Sequence, residues 1–144
     1  MNKKSAISII IVMLVMFPAV LTNAQDASPY SFTTLITITS STDPSILVGS
    51  SRSCTWSMIR KDSVLTVQSE GYSDLTGVVD GTMILLTDTG NVYDETGVIV
   101  GSYQDIFRAM GSFLEGFTGT ATGISRSVKG DKIYCYESRI LLSR

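Results

Sequence analysis

The chain has 144 residues, of which 11 are Lys or Arg, 13 are Asp or Glu, and none is histidine. The absence of histidine excludes Ser-His-Asp and Cys-His nucleophile arrangements, an imidazole general base, and the common zinc and copper ligand sets. The slightly acidic balance, without a cluster of basic residues, argues against a nucleic acid partner, because phosphate binding needs a clustered basic surface.

The first 24 residues have the organisation of an export signal. Lys3 and Lys4 form a positive segment, residues 6–21 are almost entirely apolar, and Thr22-Asn23-Ala24 offers small residues for cleavage. The apolar run is shorter than the roughly 20 residues that cross a bilayer, so cleavage is favoured over an uncleaved anchor. The sequence therefore predicts a secreted or periplasmic protein with one mature domain, residues 25–144, and no membrane span after cleavage.

The mature chain begins with segments that alternate apolar and polar residues, which is the pattern of β-strands. The first strand is predicted from Tyr30, Phe32, Thr34, Ile36 and Ile38, which share one face. A short apolar run at 46–48 predicts a second strand. Alternation at 54–58 predicts a third, which turns at 60–62 into a fourth at 64–68.

Turn signals predict hairpins in the rest of the chain. Asp80-Gly81 between two apolar runs is typical of a type I′ turn, which would pair residues 75–79 with 82–86. Segment 94–97 is predicted to join strands at 92–93 and 98–100, and segment 129–132 to join strands at 117–127 and 133–142. Segment 103–110 fits either another strand or one to two turns of helix.

Seven to nine short strands predict an all-β fold, a small antiparallel β-barrel of about eight strands that is calycin-like, with a β-sandwich as the alternative. Gly111, Gly116, Gly119 and Gly123 favour the barrel, because glycines permit bulges and tight coiling where a sheet closes. The same glycines lack P-loop and dinucleotide-binding spacing, so no cofactor is predicted. The acidic segment 88–95 lacks EF-hand ligand spacing and is typical of a turn, so no metal site is predicted either.

Cys54 and Cys135 are the two cysteines of the chain. An even pair in an exported protein predicts a disulfide more than a metal or catalytic thiol, and two buried free thiols are the alternative.

The last predicted strand leaves open which of its faces is buried. Tyr134, Tyr136, Ile140 and Leu142 occupy one face, and Cys135, Glu137 and Arg139 occupy the other. If the cysteine face lines a barrel, Glu137 and Arg139 point into a cavity, where a buried carboxylate and guanidinium are costly unless they pair or serve a ligand. If the tyrosine face is buried, both charges are in solvent or paired at the strand end.

Two glycine-based patterns resemble those of the allene oxide cyclase and dirigent-like β-barrel group. The patterns are Tyr93-Asp94-x-x-Gly97-x-x-Val100-Gly101 and Gly111-x-Phe113-x-x-Gly116-x-x-Gly119. The resemblance implies an antiparallel eight-stranded barrel with a hydrophobic pocket in its mouth, often within an oligomer.

These features lead to three hypotheses of function. The first is a barrel that binds a small, mostly apolar molecule in its interior. Its predicted ligand-binding residues are Trp56, Met58, Tyr134, Tyr136, Glu137 and Arg139. The second is a histidine-independent cyclase or isomerase that uses the same cavity, with Glu137 or a tyrosine as acid or base. The third is a structural or adhesive cell-surface protein without a pocket, and a homo-oligomer is compatible with all three.

Overall fold

A computed structural model describes residues 29–70 and 74–144, so the predicted signal sequence lies outside the described residues. Within these ranges the chain is all-β, with no helix. The strands are β1 (Tyr30–Ser41), β2 (Ser51–Lys61), β3 (Val64–Ser69), β4 (Leu75–Asp80), β5 (Met83–Tyr93), β6 (Ile99–Ser112), β7 (Gly116–Ser127) and β8 (Ile133–Ser143).

The eight strands form a closed up-and-down barrel in which every strand pairs antiparallel with its neighbours in the sequence. β1 closes the barrel by pairing with β8, from Thr33 opposite Ser143 to Ser41 opposite Tyr136. This confirms the predicted barrel and rules out the sandwich. Apolar and polar residues alternate along each strand, so each strand turns its apolar side chains toward the barrel interior. Closure of the barrel leaves no strand edge unpaired.

Two local predictions are wrong in detail, and one alternative that the sequence left open is decided. Residues 46–48 lie in the loop between β1 and β2, where the Asp43 carboxylate accepts hydrogen bonds from the backbone and hydroxyl of Ser45. Segment 103–110 is strand throughout and belongs to β6. The β4–β5 hairpin is present, but Asp80 pairs with Met83, and only Gly81 has a positive φ, which is the pattern of a type II′ turn.

The middle of the barrel is filled by apolar side chains from all eight strands. Among the most buried are Phe32, Trp56, Met58, Leu65, Val67, Leu75, Ile84, Leu86, Phe107, Ala121, Ile140 and Leu142. The Trp56 and Phe107 rings meet edge to face at 5.3 Å, which joins β2 to β6 across the interior. We refer to this region as the packed centre.

Aromatic rings cover one end of the barrel, which we call the aromatic end. Phe113 packs against Tyr30 with the rings tilted and 4.7 Å between centroids, and it meets Phe117 edge to face at 5.2 Å. The guanidinium of Arg60 lies 5.5 Å from the Phe113 ring, and that of Arg144 lies 5.9 Å from the Tyr30 ring. Because cations above aromatic faces are attracted to them, these arginines extend the cover toward solvent.

The tyrosine face of β8 is the inner one, and the cysteine face is the outer one. Cys135 is exposed, whereas Cys54 is half-buried on the inner face of β2. Cys54 pairs with Thr34, and the Cys135 carbonyl accepts a hydrogen bond from the Thr42 amide, eight residues further along. Eight extended residues span about 25 Å, and a disulfide needs Cα atoms within about 7 Å. The predicted disulfide is therefore wrong, and both thiols are free.

We expect the native protein to react with a thiol reagent without prior reduction, at Cys135 first because that thiol is exposed. Ellman's reagent should titrate one thiol rapidly in the folded protein and two in denaturant. The Cys135→Ser variant should lose the fast phase alone. Two blocked thiols that appear only after reduction would contradict the arrangement.

Candidate functional site

The barrel end opposite the aromatic end carries polar side chains on its inner surface. On six strands, the apolar residue of the packed centre is followed, one inward position further, by a polar or thiol residue. The pairs are Phe32 and Thr34 on β1, Trp56 and Cys54 on β2, Val67 and Ser69 on β3, Leu86 and Asp88 on β5, Phe107 and Asp105 on β6, and Ile140 and Ser138 on β8. We call Thr34, Cys54, Ser69, Asp88, Asp105 and Ser138 the polar layer, and the end they face the acidic end.

The acidic end is more accessible than the packed centre. Its inner-face residues Ile38, Cys54, Ser69, Tyr103, Ser125, Tyr134 and Tyr136 are only half-buried, whereas the inward residues of the packed centre are almost completely buried. Solvent therefore reaches these residues, whereas Thr34, Asp88 and Asp105 of the polar layer are almost completely buried.

Two carboxylates face each other in the polar layer. Asp88 on β5 is the direct register partner of Asp105 on β6, and their exposed fractions are 2% and 8%. Directly opposed residues of an antiparallel pair have Cβ atoms about 4.5–5.5 Å apart. The Tyr103 hydroxyl donates to Asp88 Oδ2 at 3.2 Å, and the Tyr136 hydroxyl donates to Asp105 Oδ1. Each acid is thus held by a phenol from a neighbouring position.

Glycines make room for both tyrosine rings. Gly90 lies opposite Tyr103, and a Cβ there would be 2.6 Å from the ring and from its hydroxyl. Gly123 lies opposite Tyr136, and a Cβ there would overlap both the ring and Asp105 Oδ1. Because β5 and β7 have no side chain at Gly90 and Gly123, the tyrosine rings can lie flat against the inner surface of the barrel and reach the two aspartates.

Burial raises the pKa of Asp105 to about 6. Removal from water disfavours the charged form, the hydrogen bond from Tyr136 lowers the pKa, and the negative charge of Asp88 raises it. Asp105 therefore changes its charge near neutral pH, whereas an exposed aspartate does so near pH 4.

On the facing wall, three buried polar atoms have no hydrogen-bond partner among the described residues. They are Thr34 Oγ1, Trp56 Nε1 and Ser69 Oγ, on the adjacent strands β1, β2 and β3. Ser69 is the register partner of Trp56, so two of these groups are neighbours. Buried polar groups are nearly always hydrogen-bonded, and an unpaired one costs about 1–3 kcal/mol. This wall is therefore suited to a polar atom from outside the chain.

Two adjoining depressions lie on the strands that carry the acids. One of about 540 Å³ is lined by Thr89, Gly90, Asn91, Ser102, Tyr103, Gln104, Ile124 and Arg126. The other, of about 240 Å³, includes Gln104, Ile124, Gly123, Tyr136 and Glu137. Most of their lining side chains belong to the outer face, and Tyr103 and Tyr136 each line one of them beside a glycine.

The predicted ligand-binding residues divide between three places. Tyr134 and Tyr136 face the acidic end, and Trp56 borders the polar layer. Met58 is fully buried in the packed centre and does not line the acidic end. Glu137 and Arg139 are exposed on the outer face, so the hypothesis that they point into the barrel is wrong; Ser40 Oγ donates to Glu137 there at 3.4 Å.

Sequence reasoning missed Asp88 and Asp105. Segment 88–95 was expected to be a turn, yet residues 88–93 continue β5. The signal that could have found them is the alternation of the strands, in which every second residue points inward. Asp88 follows Ile84 and Leu86 at this spacing, and Asp105 precedes Phe107 at the same spacing in β6. A carboxylate at an inward-pointing position of a strand indicates either that the strand ends there or that the site is buried.

Among the described residues, no group of three or more cysteine, aspartate or glutamate side chains is arranged to hold a metal ion. Within the same ranges, no helix has the length and apolarity needed to cross a membrane. Comparisons with protein-family models, with curated proteins and with solved structures each give no match.

Proposed function

We propose that this protein is an exported β-barrel that binds a small, mostly apolar molecule at the acidic end of its interior. The observation that carries the proposal is the set of buried, unpartnered polar atoms at Thr34, Trp56 and Ser69, on the wall that faces two buried carboxylates. Such groups are stabilised when a ligand supplies their hydrogen bonds.

The surroundings suit a ligand whose body is apolar. Trp56 and Phe107 form the floor of the acidic end, and the rings of Tyr103, Tyr134 and Tyr136 stand on its inner surface. An apolar body gains from contact with these rings, while the few polar groups fix its orientation. The resemblance to allene oxide cyclase and dirigent-like barrels agrees with a ligand in the barrel mouth.

The test compares wild type with Thr34→Val and Thr33→Val, purified side by side from cells that express the full chain. Native mass spectrometry should show an added organic mass on wild type and on Thr33→Val, because Thr33 is exposed on the outer face. Thr34→Val should carry at least tenfold less of it, since one polar partner is gone. The unliganded Thr34→Val protein should unfold at equal or higher urea, by up to about 1 kcal/mol, because an unpaired buried hydroxyl is removed.

Wild-type protein without added mass, or equal occupancy in all three proteins, would contradict the proposal. The same spectra report whether residues 1–24 have been removed, which tests the predicted export signal.

A second candidate function, that of a histidine-independent isomerase or cyclase, is favoured by Asp105. A carboxyl with a pKa of about 6 can take a proton from a bound molecule and return it at another position near neutral pH. Glu137, the acid or base suggested by the sequence, is exposed on the outer face, whereas Asp105 is buried on the inner one. Chromatography of the bound molecule before and after incubation with protein separates the functions, since a carrier returns it unchanged and an isomerase returns an isomer of equal mass.

The third hypothesis, assembly without a pocket, is favoured by exposed apolar residues at the tips of the β5–β6 and β7–β8 hairpins. Val98, Ile99, Val100, Val128 and Ile133 are each 41–66% exposed. Apolar side chains grouped in this way are suited to contact with another copy of the chain. The native mass spectra decide this point, because an oligomer without added organic mass is the result that assembly predicts.

A further inference from the structure

Two hairpin tips at the acidic end carry opposite charges. The acidic tip is residues 94–97, between β5 and β6, and the basic tip is residues 129–132, between β7 and β8. Their charged side chains are all exposed, and they are Asp94 and Glu95 on the acidic tip and Lys129, Asp131 and Lys132 on the basic tip. The acidic tip therefore attracts cationic groups, and the basic tip attracts anionic ones.

Both tips are held in shape by hydrogen bonds of their own aspartates. The Asp94 Oδ1 atom accepts hydrogen bonds from the amides of Thr96 and Val98, and Asp131 Oδ1 accepts one from the Ser127 hydroxyl. The tips are thus formed before any partner binds, which keeps the entropy cost of binding low. The glutamate of the first tip and the lysines of the second are left to contact a partner.

An apolar patch, formed by Ile99, Val100 and Val128, lies between the two tips. Val100 and Val128 are neighbours, since the Val128 amide donates to the Val100 carbonyl at 2.9 Å. The three residues line a depression of about 400 Å³ that Lys129 and Lys132 also line. Because the strands are ordered β5, β6, β7 and β8, the acidic tip is on the β5 side of the patch and the basic tip is on the β8 side.

This sequence of acidic tip, apolar patch and basic tip is self-complementary. A two-fold axis along the boundary between β6 and β7 places Val100 of one copy against Val128 of another, and each acidic tip against a basic tip. An apolar centre with complementary charges around it is the usual arrangement of a protein interface. A partner with charge of a single sign, such as an anionic lipid surface or a nucleic acid, would be repelled by one of the tips.

We propose that this surface binds a second copy of the chain in a two-fold dimer, with the acidic tip of each copy against the basic tip of the other. Val100 is on the outer face, because it alternates with the buried, inward-pointing Gly101. The dimer therefore leaves the polar layer to the ligand. It does not depend on the function proposed above, and it forms with or without a bound molecule.

Charge reversal in two separate variants of the full chain tests the arrangement. Glu95→Lys brings a lysine against the basic tip of a second copy, and Lys129→Glu brings a glutamate against its acidic tip. Sedimentation velocity should show wild-type dimers with a dissociation constant of about 100 µM or less. Each variant alone should dimerise at least tenfold more weakly. An equimolar mixture of the two variants should dimerise within threefold of wild type, since each copy then meets the opposite charge at both tips.

Two matched controls exclude general effects of charge and polarity. Glu115→Lys makes the same charge change in the exposed turn between β6 and β7, at the aromatic end, and should leave dimerisation within twofold of wild type. Val128→Ser should weaken dimerisation at least fivefold, because it removes an apolar side chain from the patch. Val64→Ser, at an exposed position of β3, should leave it within twofold.

The outcomes keep this proposal separate from ligand binding. Wild-type protein that is monomeric at about 1 mM would overturn the dimer. A mixture that dimerises no better than the two variants alone would overturn it too, because the tips of different copies would then not be in contact. Equal losses in Glu115→Lys and Glu95→Lys would have the same consequence. The added organic mass in native spectra tests ligand binding alone, so failure of either proposal leaves the other standing.

Discussion

Replacing Gly123 with valine is expected to lower the free energy of unfolding by about 3 kcal/mol, although valine is favoured in β-strands. The added side chain would occupy the space of the Tyr136 ring and of Asp105 Oδ1. The ring must leave the barrel wall, so the Tyr136–Asp105 hydrogen bond breaks and a buried carboxylate loses its donor. Urea unfolding at pH 7 measures the loss.

The control for this variant is the preceding residue in the chain. Thr122 is exposed on the outer face, and Thr122→Val should change stability by at most about 0.5 kcal/mol. A double-mutant cycle with Tyr136→Ala identifies the cause, since Gly123→Val should cost at least about 1 kcal/mol less once the ring is absent. Equal costs with and without the ring would show that Tyr136 does not need the glycine.

Replacing Asp105 with asparagine is expected to stabilise the protein by about 2 kcal/mol above pH 7 and to have little effect near pH 4. The pKa of Asp105 is raised from 3.8 to about 6, mainly because the carboxyl is buried. A carboxyl whose pKa is higher in the folded state favours folding fully below pH 3.8, and its contribution is lost as the pH rises through about 6. Asparagine is neutral at every pH, so the variant does not lose stability as the pH rises through 6. Its side-chain oxygen can still accept a hydrogen bond from Tyr136.

Urea unfolding of wild type and variant between pH 4 and pH 8 measures this difference, which should grow through the window from pH 4 to pH 7. Hydrogen bonds lower the pKa of the exposed carboxyls Asp43, Asp94 and Asp131, so their contributions are lost only as the pH falls toward and below 3.8, outside that window. Parallel pH profiles for wild type and Asp105→Asn would refute the assignment of the raised pKa to this residue.

The two substitutions test different properties of one site. Gly123→Val tests whether the Tyr136 ring needs a residue without a side chain beside it. Asp105→Asn tests whether the charge of the buried carboxylate lowers the stability of the protein. A protein that keeps a destabilising carboxylate in its interior usually does so for a ligand or a reaction. Both results therefore bear on the proposed binding function as well as on the fold.

Much of the architecture was predictable from residues close together in the chain. Alternation in β1 and β2 placed Phe32 and Trp56 inside, and the Asp94 to Gly97 segment formed its hairpin because the Asp94 carboxylate accepts hydrogen bonds from the Thr96 and Val98 amides. Such patterns act over two to six residues, so the sequence exposes them directly. The number of strands and the closed barrel followed from the sum of these local signals.

The sequence by itself therefore determined most of the strands, most of the turns and the absence of histidine chemistry. Only the tertiary structure decided which face of β8 is inside, that Cys54 and Cys135 stay apart, and that Asp88, Asp105, Tyr103 and Tyr136 form one cluster. The physical reason is that register between distant strands depends on barrel closure, which no local pattern contains. Asp105 lies 31 residues from Tyr136 in the chain, and strand pairing across Gly123 brings the two into hydrogen-bond contact.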